Sequence, residues 1–433
     1  MTVTILEGNC LDTLKSLPAN SVQCVVTSPP YYGLRDYGTP PHVWGGDPEC
    51  AHDWHEYIQP AANGILHDGG MSGETLSGNS GTRQPKKSDF CSICGAWRGN
   101  YGLEPSPELY VEHTVLIFRE VFRVLKDDGT LWLNLGDSYA GSGKGFMADG
   151  SVAAGKKQST NKGSVEISED VVRSKRMERG SGRWGGGNIP ATGNLKPKDL
   201  IGIPWMVAFA LRADGWYLRQ DIIWNKPNPM PESVNDRCTK SHEYIFLFSK
   251  SRKYYFDQES ILEPVSGNTH ARVSQNVAAQ IGSFRANGGA KTNGPMKAVI
   301  RTPKQQAAGS GIKNNDSFNN AIALQVQERN KRSVWTVTTK PYKGAHFATY
   351  PPDLIEPCIL AGTKEGDTVL DPFNGSGTTG AVAIKHHRNY IGCELNPKYI
   401  KLTNRRLSQV QPVLIPVSAL TQHQADGGKA GEI

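Results

Sequence analysis

The chain has 433 residues, of which 37% are hydrophobic and 21% are charged. This composition supports a sizeable core and excludes a wholly disordered chain, a collagen, a coiled coil and a small disulfide scaffold. No apolar run approaches the roughly 18 residues that span a bilayer, and the amino terminus lacks a signal-peptide pattern, which together predict a soluble cytoplasmic protein without a membrane partner. The length favours two or three domains, or one core with long insertions.

Basic residues are concentrated in two segments of the chain. The formal net charge is +7, yet residues 141–200 hold 11 Lys and Arg against 6 Asp and Glu, and residues 264–335 hold 10 against 2. Neutralising phosphates is the main sequence-independent source of nucleic-acid affinity, so the pattern predicts a polyanion-binding protein. Solvated flexible loops are the alternative explanation of the same charge.

The predicted elements alternate between strands and helices. Residues 3–27 predict a strand, a short helix and a second strand, followed by the Pro-rich turn TSPPYY. A helix is predicted from its cap Ser106 to a stop at Gly129, with the buried strand TLWLNLGDSY after it. Farther along come a helix in IPWMVAFALRADGW, strands in YLRQDIIWN and HEYIFLFSK, and a helix opened by the prolines of PPDLIEP. This alternation predicts an α/β fold.

A glycine-rich turn, DPFNGSGTT at residues 371–379, lies between a predicted strand and a predicted helix. Gly375 and Gly377 allow a ligand to approach the backbone closely, and Glu394 ends the next strand at the spacing of an acidic group that binds ribose hydroxyls. The turn fits neither G-x-G-x-x-G nor G-x-x-x-x-G-K, which favours a nucleoside without phosphates. A purely structural turn is the alternative.

The turn TSPPYY ends the other predicted strand and offers polar groups on a fixed backbone. Ser28 supplies a hydroxyl, Pro29 a carbonyl that no helix can use, and Tyr31 an aromatic face, while Pro30 holds their geometry. These groups suit a planar ligand with an exocyclic amine, whose lone pair they would localise. Read alone, Ser-Pro-Pro-Tyr is an ordinary turn.

Four residues have the spacing of a zinc site. Cys91 and Cys94 form a Cys-x-x-Cys followed by glycine, and Cys50 with His52 completes four sulfur and nitrogen ligands. His55 is an alternative to His52. The loops around these residues contain little apolar material, so a closed structural zinc site is favoured over free thiols, with a role in stability or DNA contact and none in catalysis.

Taken together, the two turns resemble the catalytic and cofactor motifs of the amino-group DNA methyltransferases that use S-adenosylmethionine. TSPPYY precedes the glycine turn, which is similar to the circularly permuted order called the beta class. The resemblance covers residues 1–37, 100–140, 197–260 and 335–410. It implies a Rossmann-like, doubly wound α/β methyltransferase sheet, with both motifs at the carboxyl ends of adjacent strands and one antiparallel edge hairpin.

The resemblance also implies roles for individual residues and a substrate. The residues that match the catalytic positions are Ser28, Pro29, Pro30 and Tyr31. Those that match cofactor positions are Asp371, Phe373, Gly375, Gly377, Thr378 and Glu394, with His346, Phe347 and Ala348 over the methionine end. Asn9 stands where the family often has an acidic residue that contacts the adenine of the cofactor. The implied partners are double-stranded DNA and a cognate restriction enzyme in a bacterial or phage host.

The remaining segments are predicted to be additions to this catalytic domain. They are an inserted zinc-binding module at 38–99, a mobile Gly-rich basic loop at 141–196, a candidate target-recognition region at 261–334 and a polar tail at 411–433.

The sequence is compatible with several functions. In the family, members with serine before the two prolines mostly methylate N4 of cytosine. Members with aspartate or asparagine at that position mostly methylate N6 of adenine, so Ser28 favours cytosine. A carbon-5 cytosine enzyme needs a thiolate in a Pro-Cys turn, but Cys358 after Pro357 lies in a helical pattern typical of core. A catalytically silent DNA-binding protein and an enzyme acting on RNA or on a protein amide are further alternatives.

Overall fold

An eight-stranded sheet lies at the centre of the computed structural model, which describes residues 1–57, 86–140, 195–196, 198–265, 328–340 and 349–412. The strands of these residues are β1 (Val3–Glu7), β2 (Val22–Thr27), β3 (His42–Trp44), β4 (Glu56–Tyr57), β5 (Lys86–Lys87), β6 (Trp97–Gly99), β7 (Leu125–Leu135), β8 (Tyr217–Asn225), β9 (His242–Ser249), β10 (Glu263–Pro264), β11 (Glu328–Arg329), β12 (Val334–Thr336), β13 (Thr368–Asp371) and β14 (Asn389–Glu394). The helices are α1 (Cys10–Lys15), α2 (Pro107–Val124), α3 (Ile203–Ala213), α4 (Pro352–Gly362), α5 (Thr378–Lys385) and α6 (Pro397–Leu407).

The central sheet is mostly parallel. Its strand order is β1-β14-β13-β2-β7-β9-β8-β12. Neighbours from β1 to β7 are parallel, as are β8 and β12, whereas β9 runs antiparallel to both β7 and β8. The predicted α/β sheet with an antiparallel hairpin is therefore confirmed. The hairpin does not form the edge, however, because β12 pairs outside it.

Helices cover both faces of this sheet. Val25 of β2 belongs to a buried cluster with residues of α1, α2 and α3, whereas the Sγ atom of Cys24 lies 4.0 Å from the carbonyl oxygen of Cys358 in α4. Because consecutive side chains of a strand point to opposite faces, α4 lies on the other side of the sheet. Helix α5 packs beside α4, and α6 packs beside α5. The fold is thus doubly wound, which leaves the carboxyl ends of the parallel strands open for ligands.

Helix α2 begins where the sequence predicts and ends earlier. Its cap Ser106 accepts a hydrogen bond of 3.2 Å on Oγ from the backbone N–H of Leu109. The predicted stop at Gly129 is wrong, because the helix ends at Val124 and Gly129 lies within β7. A Cβ atom on Gly129 would come 2.6 Å from Cγ of Leu125, so this glycine serves close packing inside the strand.

The chain divides into two compact units, Met1–Tyr255 with Val334–Ile433, and Phe256–Ser333. In the second unit the described residues form the hairpin of β10 and β11, where Glu263 accepts hydrogen bonds from the guanidinium groups of Arg329 and Arg332. Most of the predicted basic loop, target-recognition region and tail lies outside the described residues. None of the helices in the described residues could span a bilayer.

Candidate active site

The TSPPYY motif leaves β2 as a rigid turn. Pro29 is buried, and the carbonyl oxygen of Pro30 accepts a hydrogen bond of 2.9 Å from the Tyr110 hydroxyl of α2. A Cβ atom on Gly102 would come within 3.0 Å of Cβ of Pro30, so the chain at Gly102 packs directly against the turn. The turn therefore presents Ser28 and the Pro29 carbonyl on a backbone that is already fixed.

The hydroxyl of Tyr31 joins a polar network that connects the turn to strands β7 and β9. Ser28 Oγ donates a hydrogen bond of 3.3 Å to this hydroxyl, which lies 2.9 Å from Glu243 Oε2 on β9 and 3.0 Å from Asn134 Oδ1 on β7. Glu243 also forms an ion pair with Lys226, and both side chains are 18% exposed. Burial, together with the nearby Glu243 carboxylate, raises the pKa of Tyr31 well above its ordinary value, so the phenol stays protonated and acts as a donor.

Three further site residues, Asn134, Lys226 and Glu243, were not predicted from the sequence. They lie in segments that carry the family resemblance, LWLNLGDSY and the hairpin from WNKPNP to HEYIFLF. In that hairpin Asn225 of β8 pairs with His242 of β9, so Lys226 and Glu243 meet diagonally across the two strands. An opposite-charge pair beside a hairpin connection, at the carboxyl end of a predicted strand, is the signal that points to them.

Asp371 organises the glycine-rich turn at the end of β13. Its Oδ1 accepts hydrogen bonds from Oγ1 of Thr27 at 2.6 Å and from the backbone N–H of Phe373 at 3.0 Å. Its Oδ2 accepts from Oγ1 of Thr379 at 2.7 Å and from the Tyr350 hydroxyl at 3.0 Å. Burial raises the pKa of this carboxyl group, an effect that the hydrogen bonds oppose. The protein itself thus uses all four acceptor positions of the carboxylate.

The hydrogen bond between Thr27 and Asp371 joins two motifs that lie 344 positions apart. Thr27 is the last residue of β2 and Asp371 is the last residue of β13, and these strands are parallel neighbours. Ser28 follows Thr27 directly. The predicted adjacency of the two motifs at the carboxyl ends of neighbouring strands is confirmed.

Glu394, at the end of β14, faces the glycine-rich turn. Its Oε2 accepts a hydrogen bond of 2.8 Å from the N–H of Gly375, and its Oε1 accepts one of 2.8 Å from the N–H of Asn396. Gly375 and Gly377 have φ angles of 53° and 73°, the left-handed region that favours glycine. Burial raises the pKa of Glu394 to about 7. With two donors bound, the carboxylate retains acceptor positions for a ligand.

The other predicted cofactor residues lie around the same turn or outside the described residues. The ring of Phe373 stacks on Tyr101, with centroids 5.6 Å apart and planes 17° apart. Thr378 is buried at the start of α5, where its Oγ1 accepts a hydrogen bond of 2.8 Å from Arg406 of α6. His346, Phe347 and Ala348 fall outside the described residues.

The four predicted metal ligands converge in space. The ligand atoms of Cys50, His52, Cys91 and Cys94 all lie within 4.8 Å of one another. His55, the alternative ligand, instead places its Nδ1 atom 3.1 Å from Oδ2 of Asp53. The structure therefore selects His52 over His55, and the group of three thiols and one imidazole can hold a metal ion.

Asp137, Asn9 and Cys358 have structural roles. Oδ1 of Asp137 accepts hydrogen bonds from the N–H groups of Gly202 at 3.0 Å and Ile203 at 3.2 Å, so it caps α3. Asn9 caps α1 in a similar way. Cys358 is fully buried in α4, which confirms its predicted place in the core.

Comparisons with known proteins give one consistent family. The model of a DNA methylase family of N6 and N4 enzymes matches residues 22–405. Type II methyltransferase M.Cfr9I of Citrobacter freundii is 36% identical over 416 residues, which cover 96% of this chain and 91% of that protein. Type II methyltransferase M.SmaI of Serratia marcescens is 35% identical over 403 residues, which cover 93% of this chain and 90% of that protein.

Solved structures similar to this chain include PvuII DNA methyltransferase (cytosine-N4-specific). That match has 14% identity and a TM-score of 0.47, and it covers 99% of this chain and 94% of the other. A putative DNA modification methylase from Thermus thermophilus, complexed with S-adenosyl-L-methionine, matches with 18% identity and a TM-score of 0.43. The match covers 95% of this chain and 97% of the other. From the family match and the two relatives, the chain belongs to the DNA methylase family.

Proposed function

We propose that this DNA methylase transfers a methyl group from S-adenosylmethionine to the exocyclic amine of a base in double-stranded DNA, with N4 of cytosine as the target. The observation that carries the proposal is the hydrogen bond of 2.6 Å between Thr27 and Asp371. It fixes the Ser-Pro-Pro-Tyr turn beside the glycine-rich turn, so a methyl donor on one turn and a flipped base on the other would meet at the same sheet edge.

The glycine-rich turn supports binding of the nucleoside part of the cofactor. Gly375 has no side chain to obstruct a ligand, and the Glu394 carboxylate retains acceptor positions that suit two ribose hydroxyls. Asp371 has no such capacity, because its four donors all come from the protein. In this proposal Asp371 shapes the turn and Glu394 contacts the ligand, and bound S-adenosylmethionine supplies an electrophilic sulfonium methyl group.

The Ser-Pro-Pro-Tyr turn supports binding of an amine. Since the Ser28 O–H donates to Tyr31 and the Tyr31 O–H donates to Glu243, the lone pairs of Ser28 Oγ remain free to accept from the base. The Pro29 carbonyl is the second acceptor. Two accepted hydrogen bonds localise the nitrogen lone pair, which attacks the methyl carbon as the carbon–sulfur bond breaks, and one amine proton is then released to solvent.

Ser28 favours cytosine over adenine on the family resemblance, and adenine N6 is the second candidate. Carbon-5 transfer is disfavoured, because it needs an accessible thiolate and Cys358 is fully buried. The basic segments 141–200 and 264–335 suit contacts with duplex phosphates, and the proposal keeps residues 261–334 as the target-recognition region. A cognate restriction enzyme as partner and a cytoplasmic location belong to the same proposal.

Transfer of a labelled methyl group tests the reaction class. The full chain is incubated with S-adenosylmethionine tritiated in the methyl group and with either plasmid DNA or RNA. Label is expected in DNA, and Ser28→Ala should lower the rate by about 100-fold, since one preorganised polar contact is lost. Ser16→Ala, at the exposed end of α1, is the matched control.

Two results would overturn this proposal. Label in RNA alone would assign the pocket to another nucleic acid. Binding of S-adenosylmethionine and DNA with no transfer under any condition would favour the silent DNA-binding protein.

A further inference from the structure

The ligand atoms of three thiols and one imidazole lie within 4.8 Å of one another, and two of their separations match those around a single tetrahedral ion. Sγ of Cys50 is 3.9 Å from Sγ of Cys91, and Sγ of Cys94 is 3.4 Å from Nδ1 of His52. Zinc–sulfur bonds of about 2.3 Å and zinc–nitrogen bonds of about 2.0 Å give tetrahedral separations of roughly 3.8 Å and 3.5 Å for these two pairs. A disulfide needs about 2.05 Å between two sulfur atoms, and the three cysteines of this cluster form none within the described residues.

The backbone around these side chains is arranged to support thiolates. The N–H groups of His52 and Ile93 each lie 3.4 Å from a sulfur atom, those of Cys50 and Cys91 respectively. Hydrogen bonds to sulfur favour the charged thiolate, which is the form that binds metal. His52 has a φ angle of 45°, in the left-handed region where histidine is enriched among non-glycine residues, so its backbone adds no evidence for or against a metal ion.

Two short strands connect this cluster to the core of the first compact unit. Strands β3 and β6 pair antiparallel with Trp44 opposite Trp97, and they lie just before Cys50 and just after Cys94 in the chain. Both indole rings stack on the buried His113 of α2, with centroid distances of 5.1 Å and 5.4 Å. We call the four ligands with β3 and β6 the metal knuckle.

Further aromatic contacts lead from the metal knuckle to both functional turns. Trp44 contacts Tyr101 at 5.6 Å, and Tyr101 stacks on Phe373 of the glycine-rich turn, also at 5.6 Å. Tyr101 stacks on Tyr110 as well, at 5.0 Å with the planes 10° apart. The Tyr110 hydroxyl donates to the carbonyl oxygen of Pro30, so a continuous series of ring contacts joins Trp44 of β3 to the base turn and to the cofactor turn.

We propose that Cys50, His52, Cys91 and Cys94 bind one zinc ion, and that the metal knuckle positions Pro30 and Phe373 through this aromatic stack. The metal site rests on the cluster geometry alone, whereas the positioning role rests on the proposed function. The ion fixes loops that contain little apolar material of their own, and the stack transmits that order to the two turns. The protein occupies all four coordination positions of the ion, so no position is left for water or a substrate.

Elemental analysis tests the metal site without any methyl transfer. The full chain, purified without chelator or histidine tag, should contain about one zinc per chain. His52→Ala should lower zinc affinity by roughly 100-fold or more, whereas His55→Ala, in the same loop, should retain the ion. His52→Cys keeps four ligands and should retain zinc as well, which separates ligand loss from misfolding.

Cobalt substitution provides a second readout that is independent of activity. Co²⁺ bound to the full chain should give the visible absorption of a tetrahedral thiolate site, and Cys94→Ser should weaken it while the exposed Cys238→Ser leaves it unchanged. A wild-type chain that takes up neither metal would overturn the site. Equal zinc content in the His52→Ala and wild-type proteins would overturn the ligand assignment.

The positioning role is tested by removing and restoring the ion. Zinc-depleted protein should show a KM for S-adenosylmethionine raised by roughly tenfold and a lower kcat, and added zinc should restore both values. Unchanged kinetics after depletion would contradict the positioning role while leaving the metal site intact. No transfer by the zinc-loaded protein would instead count against the proposed function, so the two failures are distinguishable.

Discussion

Asp371 and Glu394 are both acidic residues at the ends of neighbouring strands, yet their surroundings differ. Asp371 is 1% exposed and accepts four hydrogen bonds from the protein, whereas Glu394 accepts two and remains partly accessible. Burial raises the pKa of Glu394 to about 7, because few donors compensate for the lost water. Glu394 therefore still has acceptor positions for a ligand, and a bound ligand can change its ionisation.

The first prediction concerns the pH dependence of cofactor binding. The pKa of Glu394 in the free protein lies above its ordinary value of 4.5, so below about pH 7 part of the protein carries a neutral carboxyl group. Ribose hydroxyls donate to the charged form and favour it, so binding releases a proton. The affinity for S-adenosylmethionine should therefore rise by up to about tenfold per pH unit toward pH 7 and level off above it.

Calorimetric titration of S-adenosylmethionine from about pH 5.5 to 8 measures this effect. Glu394→Gln should bind more weakly and lose the pH dependence, because its amide does not titrate. Glu365→Gln, an exposed residue before β13, should retain the wild-type profile. An unchanged slope in Glu394→Gln would assign the titration to another group.

The second prediction concerns the chain of hydrogen bonds from Ser28 through Tyr31 to Glu243. Glu243→Gln and Tyr31→Phe should each lower kcat by about tenfold, the loss expected when a hydrogen bond of roughly 1.5 kcal/mol to a charged group is removed. The KM for S-adenosylmethionine should change little, because neither side chain contacts the glycine-rich turn in the network described above. Steady-state kinetics with plasmid DNA separates the two parameters.

A double-mutant cycle tests whether these residues act as one unit. If Glu243 acts only by orienting the Tyr31 hydroxyl, Tyr31→Phe combined with Glu243→Gln should lower kcat no further than either change alone. Fully multiplicative losses would show that Glu243 acts on the reaction by another route.

At the scale of elements, helix α6 fixes the shape of the glycine-rich turn. Oγ1 of Thr403 donates to the carbonyl oxygen of Gly375 at 3.0 Å, and Arg406 donates to the carbonyl oxygen of Ser376 at 3.2 Å. Gly377, the N-cap residue just before α5, has a left-handed φ angle of 73°, and a Cβ atom there would lie 2.8 Å from Cγ2 of Thr403. Turn and helix therefore fit together only while residue 377 is glycine.

The third prediction separates backbone strain from this steric clash. Gly377→Ala should lower the free energy of unfolding by about 2–4 kcal/mol, since a left-handed alanine costs roughly 1–2 kcal/mol and overpacking adds about as much again. Gly366 also has a positive φ angle, 82°, but its Cβ position faces open space. Gly366→Ala should therefore lose only the stability that corresponds to the strained backbone. Urea unfolding measures both variants, and equal losses would contradict the role of Thr403.

The elements were predictable where local signals determine them. The Ser106 cap, the prolines that open α4 and the alternation of strands and helices all follow from nearby residues. The end of α2 was not predictable in this way, because strand β7 begins at Leu125, four residues before the glycine that resembles a stop signal. Asp137 likewise depends on a distant partner, since the helix that it caps begins 66 positions later.

At the scale of the whole molecule, the site is assembled from residues that are far apart in the sequence. The adjacency of Ser28 and the glycine-rich turn was predictable from the rule that ligands bind at the carboxyl ends of parallel strands. The Tyr31 network was not, because its members lie 103 and 212 positions apart and meet only through the order β2-β7-β9. The choice of His52 over His55 also needed the fold, since both residues have suitable spacing.

The most direct test of the central claim is mass spectrometry of nucleosides from plasmid DNA propagated with this protein in a host that lacks its own methylases. A Tyr31→Ala protein serves as the control. We predict N4-methylcytosine in the wild-type sample and none in the control, because the Ser-Pro-Pro-Tyr turn holds the amine of a flipped cytosine. N6-methyladenine would contradict the base assignment, and the absence of any methylated base would contradict the proposed reaction.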